Sequence, residues 1–407
     1  MSNNAWPGLQ QFHLPFTSPV LVFFTVLLVI LLIPIVLSRI RVPDIVGFII
    51  AGVIIGPYGL NLLGKNPAIE LFATIGLLYI MFLAGIELNI DRFKKTRHKS
   101  LVFGLLTFSL PILIGFPVCR YLLGYALLPS ILTASMFATH TLVAYPIISK
   151  YKLAENEAVG VTVGGTILTD TAVLLILAII IGAKNGGLTT VFWLRLVASM
   201  AVFLTVVFFI VPRIAKWLLG IGGQSKTAQY ICMMACMFFS ALLAQVAGIE
   251  PIVGAFMAAL ALNRLIPKPS KLFNDIQFVG NAIFIPFFLV SVGMIVNLKV
   301  LFHGPAALLV AATLTIVALA GKWLSAFFTQ QLYRYSHTQR QLVFGLSSSH
   351  AAATLAMILI GYKNGIIDAN LLNGTIVLIL VTCMVASFAT ERAARKLVTA
   401  PKEQMVE

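Results

Sequence analysis

Long apolar stretches broken by short polar ones repeat along the whole chain. A hydrocarbon layer of about 30 Å takes about 20 apolar residues per helix. Breaks at Gly, Pro and charged clusters divide the chain into thirteen such runs, at 17–38, 44–62, 69–90, 100–124, 127–149, 157–183, 190–218, 227–247, 250–266, 276–297, 304–331, 339–361 and 370–395. The pattern predicts an all-α membrane protein with thirteen transmembrane helices.

Loop charges test that count. With the N-terminus outside, the cytoplasmic loops hold Arg39 and Arg41, five cations from Arg92 to Lys99, Lys150 and Lys152, and Arg213, Lys216 and Lys226. Further on come Arg264, Lys268 and Lys271, then Arg334 and Arg340, and the tail adds Arg392, Arg395, Lys396 and Lys402. That is 21 of the 28 basic residues, against Lys65, Arg120, Lys184, Lys299 and Lys363 outside. A missed span would scramble this division downstream of the error. It stays ordered, so the C-terminus is expected in the cytoplasm of an inner (plasma) membrane.

Composition agrees. Sixty per cent of the 407 residues are hydrophobic and ten per cent charged, where soluble chains are about half apolar and a quarter charged. The formal charge of +15 indicates no nucleic-acid partner, because the cations sit in short loops and not on a polar domain. The polar, uncharged stretch Met1 to Ser18 lacks the basic start of a cleavable signal, so the first run is expected to remain as a helix. Cys119, Cys232, Cys236 and Cys383 all lie in apolar runs. Cys232 and Cys236 share a helix face, but without a nearby His or carboxylate they are read as packing residues. No cofactor is expected.

The odd span count implies a symmetry. With the seventh run as a linker, runs one to six and eight to thirteen form two six-helix repeats of opposite orientation, a plan that places an ion site between them at mid-membrane. The fifth and twelfth runs are then equivalent, and both are rich in hydroxyls with one His. Thr139, His140 and Thr141 lie in the fifth; Ser347, Ser348, Ser349 and His350 lie in the twelfth. Hydroxyls satisfy backbone freed where a helix unwinds, so both are read as broken helices that cross. Small residues that let helices pack closely are the blander explanation.

A charge at mid-membrane costs a few kcal/mol or more. Two ionisable residues other than His lie that deep, Asp170 and Lys322. A buried carboxylate can hold a proton or a partly dehydrated monovalent cation, and competition between the two is what antiport requires. Thr166, Thr169 and Thr171, with Thr139 and Thr141, offer the further oxygens that hard cations prefer. A structural Asp170–Lys322 ion pair is the alternative. His140 and His350 are candidates for proton relay or pH sensing, or for hydrogen-bonded packing. Glu87 and Asp91 read as interfacial, Glu250 as opening the ninth run on the outer side, and Arg195 as snorkelling; Asn281 and Gln245 have no assigned role. An intramembrane aspartyl protease would need a second deep aspartate. Ser349 and His350, as neighbours on a helix, diverge by about 100° and make a poor dyad.

Four stretches resemble the monovalent cation/proton antiporter superfamily, in its second branch of bacterial sodium/proton and potassium/proton exchangers. They are Arg41-Val-Pro43 through Gly56-Pro57, Ile75-Gly76 through Glu87-Leu88, Gly248 through Ala258, and Pro286 through Met294. The resemblance covers nearly the whole chain in the right order. It implies a homodimer in which a core domain slides like an elevator past a dimerisation domain. Dimerisation-side helices would occupy 1–98 and 226–299, core helices 99–185 and 300–397, a linker helix 186–225 and a cytoplasmic tail 398–407. Asp170 falls on the family's ion-binding aspartate and Lys322 on the basic residue of the eleventh span. Many relatives carry two acidic residues, or an amide and an acid, where this chain has Thr169-Asp170; the single carboxylate implies electroneutral exchange. The expected activity is cation/proton antiport, sodium before potassium, with a ligand-gated potassium efflux pathway as the alternative.

Overall fold

The structure is a computed structural model that describes residues 13–38, 44–64, 66–87, 90–184, 190–221, 225–248, 250–267, 270–296 and 305–399. Arg39, Arg41, Pro43, Lys65, Leu88, Lys268, Lys299 and the tail beyond Thr399 lie outside the described residues, as do the side chains of Asp91, Arg92, Lys94, Thr171, Lys184 and Arg195.

Among the described residues every element is a helix. In chain order these are α1 (Pro19–Ser38), α2 (Asp44–Ile55), α3 (Pro67–Glu87), α4 (Ile90–Pro117), α5 (Leu127–Met136), α6 (Tyr145–Lys150), α7 (Glu157–Lys184), α8 (Thr190–Thr205), α9 (Val211–Ile221), α10 (Lys226–Val246) and α11 (Pro251–Leu262). There follow α12 (Lys271–Val279), α13 (Ile285–Met294), α14 (Pro305–Tyr333), α15 (His337–Ser348), α16 (Ala352–Lys363) and α17 (Ala369–Thr399). Wide π-turns extend α4 through Val118–Leu122, join α8 to α9 through Val206–Ile210, and join α12 to α13 through Gly280–Phe284.

Helix lies on every predicted run, but length alone does not carry all thirteen across a bilayer. Among the described residues eight helices are long and apolar enough to cross, and α15 with α16, bent by 41° at their break, makes a ninth. α2, α5 and α11 are apolar but short. At 1.5 Å per residue they reach about 15–18 Å, half the hydrocarbon layer. The ends of short helices fall inside the membrane, and that decides where the polar groups collect.

The helices pack as two bundles. α1, α2, α3, α10, α11 and α13 pack on one another, and α4, α5, α7, α14, α15, α16 and α17 form the second group. Between them α17 meets α2, α6 meets α3, and α11 meets α7. Large apolar side chains such as Leu31, Leu113, Val246 and Ile316 remain exposed on the outside. Lipid is the solvent that makes such a surface stable, and the chain is a multi-pass membrane protein.

Small residues set the closest approaches. Gly52 of α2 and Gly293 of α13 face each other so closely that a Cβ on Gly52 would strike the Val290 carbonyl, and one on Gly293 the Ile49 carbonyl. Backbone cannot yield there as a flexible side chain would. Gly52→Ala and Gly293→Ala should each cost about 1–3 kcal/mol and lower the thermal unfolding midpoint in detergent. Gly220→Ala, where an added Cβ meets nothing within 4 Å, should not. Equal midpoints for all three variants would contradict the close approach.

Candidate ion-binding site at the crossing of two broken helices

Helix stops at Met136 and resumes at Tyr145; it stops again at Ser348 and resumes at Ala352. The two gaps meet inside the second bundle. The Thr141 N–H donates to the Ser349 carbonyl at 2.9 Å, and the Ser349 hydroxyl donates to the Thr141 carbonyl. Thr139 and Thr354 share a hydroxyl–hydroxyl bond of 2.7 Å. The crossing is thus stitched by its own backbone and hydroxyls, as buried non-helical chain requires. Ser347 and Ser348 do not cross; their hydroxyls turn back to the Phe344 and Gly345 carbonyls at 3.4 Å.

Both histidines are buried and built into this arrangement. His350 lies between carbonyls, with Nδ1 3.0 Å from Ser348 O and Nε2 3.3 Å from Phe137 O. His140 faces α7, its Nε2 2.6 Å from the Thr166 hydroxyl and its Nδ1 3.4 Å from that of Thr169. Thr166 donates to the Thr162 carbonyl at 3.2 Å, so its oxygen is left to accept from Nε2–H. A neutral ring carries a single N–H, so His140 donates from Nε2 to Thr166 and His350 donates to one of its two flanking carbonyls.

Lys322 is fully buried and reaches the same crossing from α14. Gly321 beside it presses against the backbone of Pro111 in α4, which brings the amine to the Thr107 hydroxyl at 3.1 Å and the Ala138 carbonyl at 2.6 Å. Ala138 lies just past the end of α5, where the helix dipole leaves negative charge unmatched. A cation placed there takes the carbonyls that the break exposes.

Asp170 sits on α7, 1% exposed, against the crossover. The His140 backbone N–H is within hydrogen-bonding reach of its carboxylate. Oδ1 has no partner, and neither does the Thr141 hydroxyl. The charges of Lys322 and Glu250 both act on Asp170, but among the described residues no ion pair joins it to Lys322, whose amine is engaged elsewhere. Of the six oxygen-bearing residues expected at the site, Thr171 has its side chain outside the described residues, and Thr139, Thr166 and Thr169 spend their hydroxyls on helix carbonyls. Asp170 and Thr141 keep a buried oxygen free for a ligand.

Two cavities part the bundles on opposite sides. The larger, about 1000 Å³, opens on the side of the basic loops and is lined by Asp44, Glu87, Lys150, Asn281 and Glu391 among others. The smaller, about 570 Å³, runs between α3, α13, α16 and α17 and is walled by Glu70, Thr74, Ser291 and Leu355. Asp170 lines neither.

A carboxylate held by protein at crossed helix breaks, with a cavity on either side, suits an ion carrier. The sequence pattern described as "Sodium/hydrogen exchanger, transmembrane" matches residues 26–396. The chain belongs to this family. Among similar proteins, the "Na(+)/H(+) antiporter NhaS5" of Synechocystis is 32% identical across 94% of this chain and 55% of its own length. The "Probable Na(+)/H(+) antiporter 3" of Methanocaldococcus jannaschii is 29% identical across 89% of this chain and 94% of its own. The "K(+)/H(+) antiporter 1" of Saccharomyces cerevisiae is 26% identical, and this chain spans 48% of it. This chain thus covers about half the length of two of these relatives. The fold matches that of the sodium proton antiporter MjNhaP1 of M. jannaschii, with a TM-score of 0.72 at 16% identity, over 95% of this chain and 99% of that one.

Within this exchanger fold, three polar groups matter more than the sequence suggests. Glu250 precedes α11 and makes no capping bond there, and its charge reaches Asp170. The signal was Pro251, which opens the short apolar helix α11 directly after Glu250. Glu87, the last residue of α3, is 8% exposed and accepts from Ser149 Oγ at 2.6 Å, Gln277 Nε2 at 3.1 Å and Tyr145 OH at 3.1 Å. Thr107, one of many hydroxyls in apolar runs, carries no sequence signal for its contact with Lys322.

These contacts separate the two deep charges by what each variant does to stability. Lys322→Ala strands the Ala138 carbonyl and should cost about 2–3 kcal/mol, read as a lower unfolding midpoint in detergent. Asp170→Asn removes a charge with no direct ion-pair partner and should leave the midpoint unchanged or higher. A drop of 3–5 kcal/mol for Asp170→Asn, the cost of breaking a buried pair, would restore the structural ion pair.

Proposed function

We propose that this chain exchanges a monovalent cation for protons across the membrane, with Asp170 occupied by the two in turn. The observation that carries this reading is the unpartnered Asp170 Oδ1 on α7 against the crossing, with the buried Thr141 hydroxyl at that crossing likewise unpartnered. A dehydrated cation needs oxygens in that position, and a proton neutralises the same carboxylate when the cation leaves. Thr139, Thr166 and Thr169 build the wall, and Lys322 holds the end of α5. His140 and His350 act in this reading as hydrogen-bonded packing that positions the crossover.

The two-bundle packing supports an elevator cycle. α4–α7 and α14–α17 would move as the core past α1–α3 and α10–α13, with α8 and α9 as the linker, thirteen spans in inverted repeats, and a second copy bound through the static bundle. The cavities lie along the boundary such a movement uses. Sodium is the favoured cation and potassium the next, in line with the names of the relatives. A single carboxylate at the crossing supports one-for-one exchange. Glu250 is the observation that favours a second reading, in which another ionisable group carries charge through the cycle.

Purified protein in liposomes with a pH-sensitive dye tests the proposal. Sodium or potassium should discharge a proton gradient, and clamping the membrane potential should leave the rate unchanged if exchange is electroneutral. A clamp-sensitive rate that becomes insensitive in Glu250→Gln would establish the second reading. Asp170→Asn should reduce cation-dependent proton flux by at least a hundredfold while purifying as a folded protein. Exchange at the wild-type rate in that variant would refute the assignment of Asp170. Cation flux without protons would favour a gated efflux pathway.

A further inference from the structure

A third cavity, about 310 Å³, lies away from the ion site, between α14, α15 and α17 on the side of the basic loops. Arg340 and Lys396 line it with His337 and Gln341, and Trp323 and Phe344 form its apolar part. No carboxylate is among its lining residues. Three other cations on this side have acidic partners: Lys99 with Glu157, Lys150 with Asp44, and Arg395 with Glu391. Among the described residues Arg340 and Lys396 have no acidic partner. The Arg340 guanidinium instead lies over the Trp323 indole, 5.6 Å from the ring centre, a contact that orients it at little cost.

Its position in the bilayer is equally specific. His337 begins α15 and Arg340 lies in its first turn, whereas Trp323 is ten residues before the end of α14, about 15 Å along the axis. Lys396 thus lies near the end of α17, and the Arg340 side chain reaches from the first turn of α15 down to the Trp323 ring. Trp323 is 44% exposed, and Phe328 and Phe388 nearby are exposed to the same degree, so this surface faces lipid. The positive end of the α15 dipole adds to the same charge. Two unmatched cations above an apolar, lipid-facing floor have the polarity of a phospholipid, phosphate outermost and chains below.

We propose that this cavity binds the headgroup phosphate of an anionic phospholipid from the leaflet on the basic-loop side. The site holds the start of α15 against α14 and α17. α15 carries Ser347 and Ser348 and leads directly into Ser349 at the crossing, so the bound lipid bears on the geometry of the ion site.

The full chain, stripped of lipid in detergent, is titrated with phosphatidylglycerol and with phosphatidylcholine, and retained lipid is counted by native mass spectrometry. Wild-type protein should retain phosphatidylglycerol preferentially. Arg340→Gln with Lys396→Gln should weaken that retention about thirtyfold, at about 1 kcal/mol per cation, and Arg340→Lys should keep most of it. Should the double variant fail to fold, Lys396→Gln alone, at an exposed position, is read the same way and should weaken retention about fivefold. Equal retention by wild-type and folded variant overturns the site. Displacement of phosphatidylglycerol by inorganic phosphate would assign the pocket to a soluble anion and overturn the lipid.

Discussion

In hydrocarbon, every peptide group released from a helix must find its partner within the protein. The structure turns on how two broken helices meet that demand at one point. Thr141 and Ser349 bond each other's backbone across the gap, Thr139 and Thr354 join above it, and Lys322 takes the carbonyl left at the end of α5. Each break would be untenable alone. Together they leave one region of membrane-depth backbone that is polar, satisfied and shielded from lipid.

That region makes a buried carboxylate tolerable. Asp170 sits where a backbone N–H and a nearby ammonium offset its charge without engaging both of its oxygens. A direct ion pair would have satisfied the charge and closed the site to a cation. Because Lys322 is committed to Thr107 and Ala138, its charge acts at a distance while one Asp170 oxygen stays without a partner. That displacement of the amine is what distinguishes this arrangement from a structural ion pair.

The same economy recurs where the bundles meet. Contacts between them are concentrated on the basic-loop side, where Glu87 of α3 receives Tyr145 and Ser149 of α6 and Asp44 of α2 pairs with Lys150. Polar links of this kind can be exchanged for water when a cavity of 1000 Å³ stands beside them. The tight glycine contact of Gly52 with Gly293 cannot be exchanged so, and it lies wholly within one bundle.

Apolar run length and the placement of Lys and Arg determined, from sequence alone, where helices form, that lipid is the solvent, and that Asp170 and Lys322 are the deep charges. Hydroxyl-rich interruptions at Thr139–Thr141 and Ser347–Ser349 marked both breaks, since hydroxyls satisfy backbone groups freed where a helix unwinds. Sequence could not show which of those hydroxyls would cross, because Ser347 and Ser349 are chemically alike and differ only in where the chain turns. Nor could it show that the charge of Glu250 bears on Asp170, or that Glu87 is buried, since both depend on which helices come to lie beside them. Those outcomes belong to packing between segments far apart in the chain: charge and hydropathy act along the sequence, whereas the partner of a buried polar atom is chosen by whichever helix comes to lie beside it.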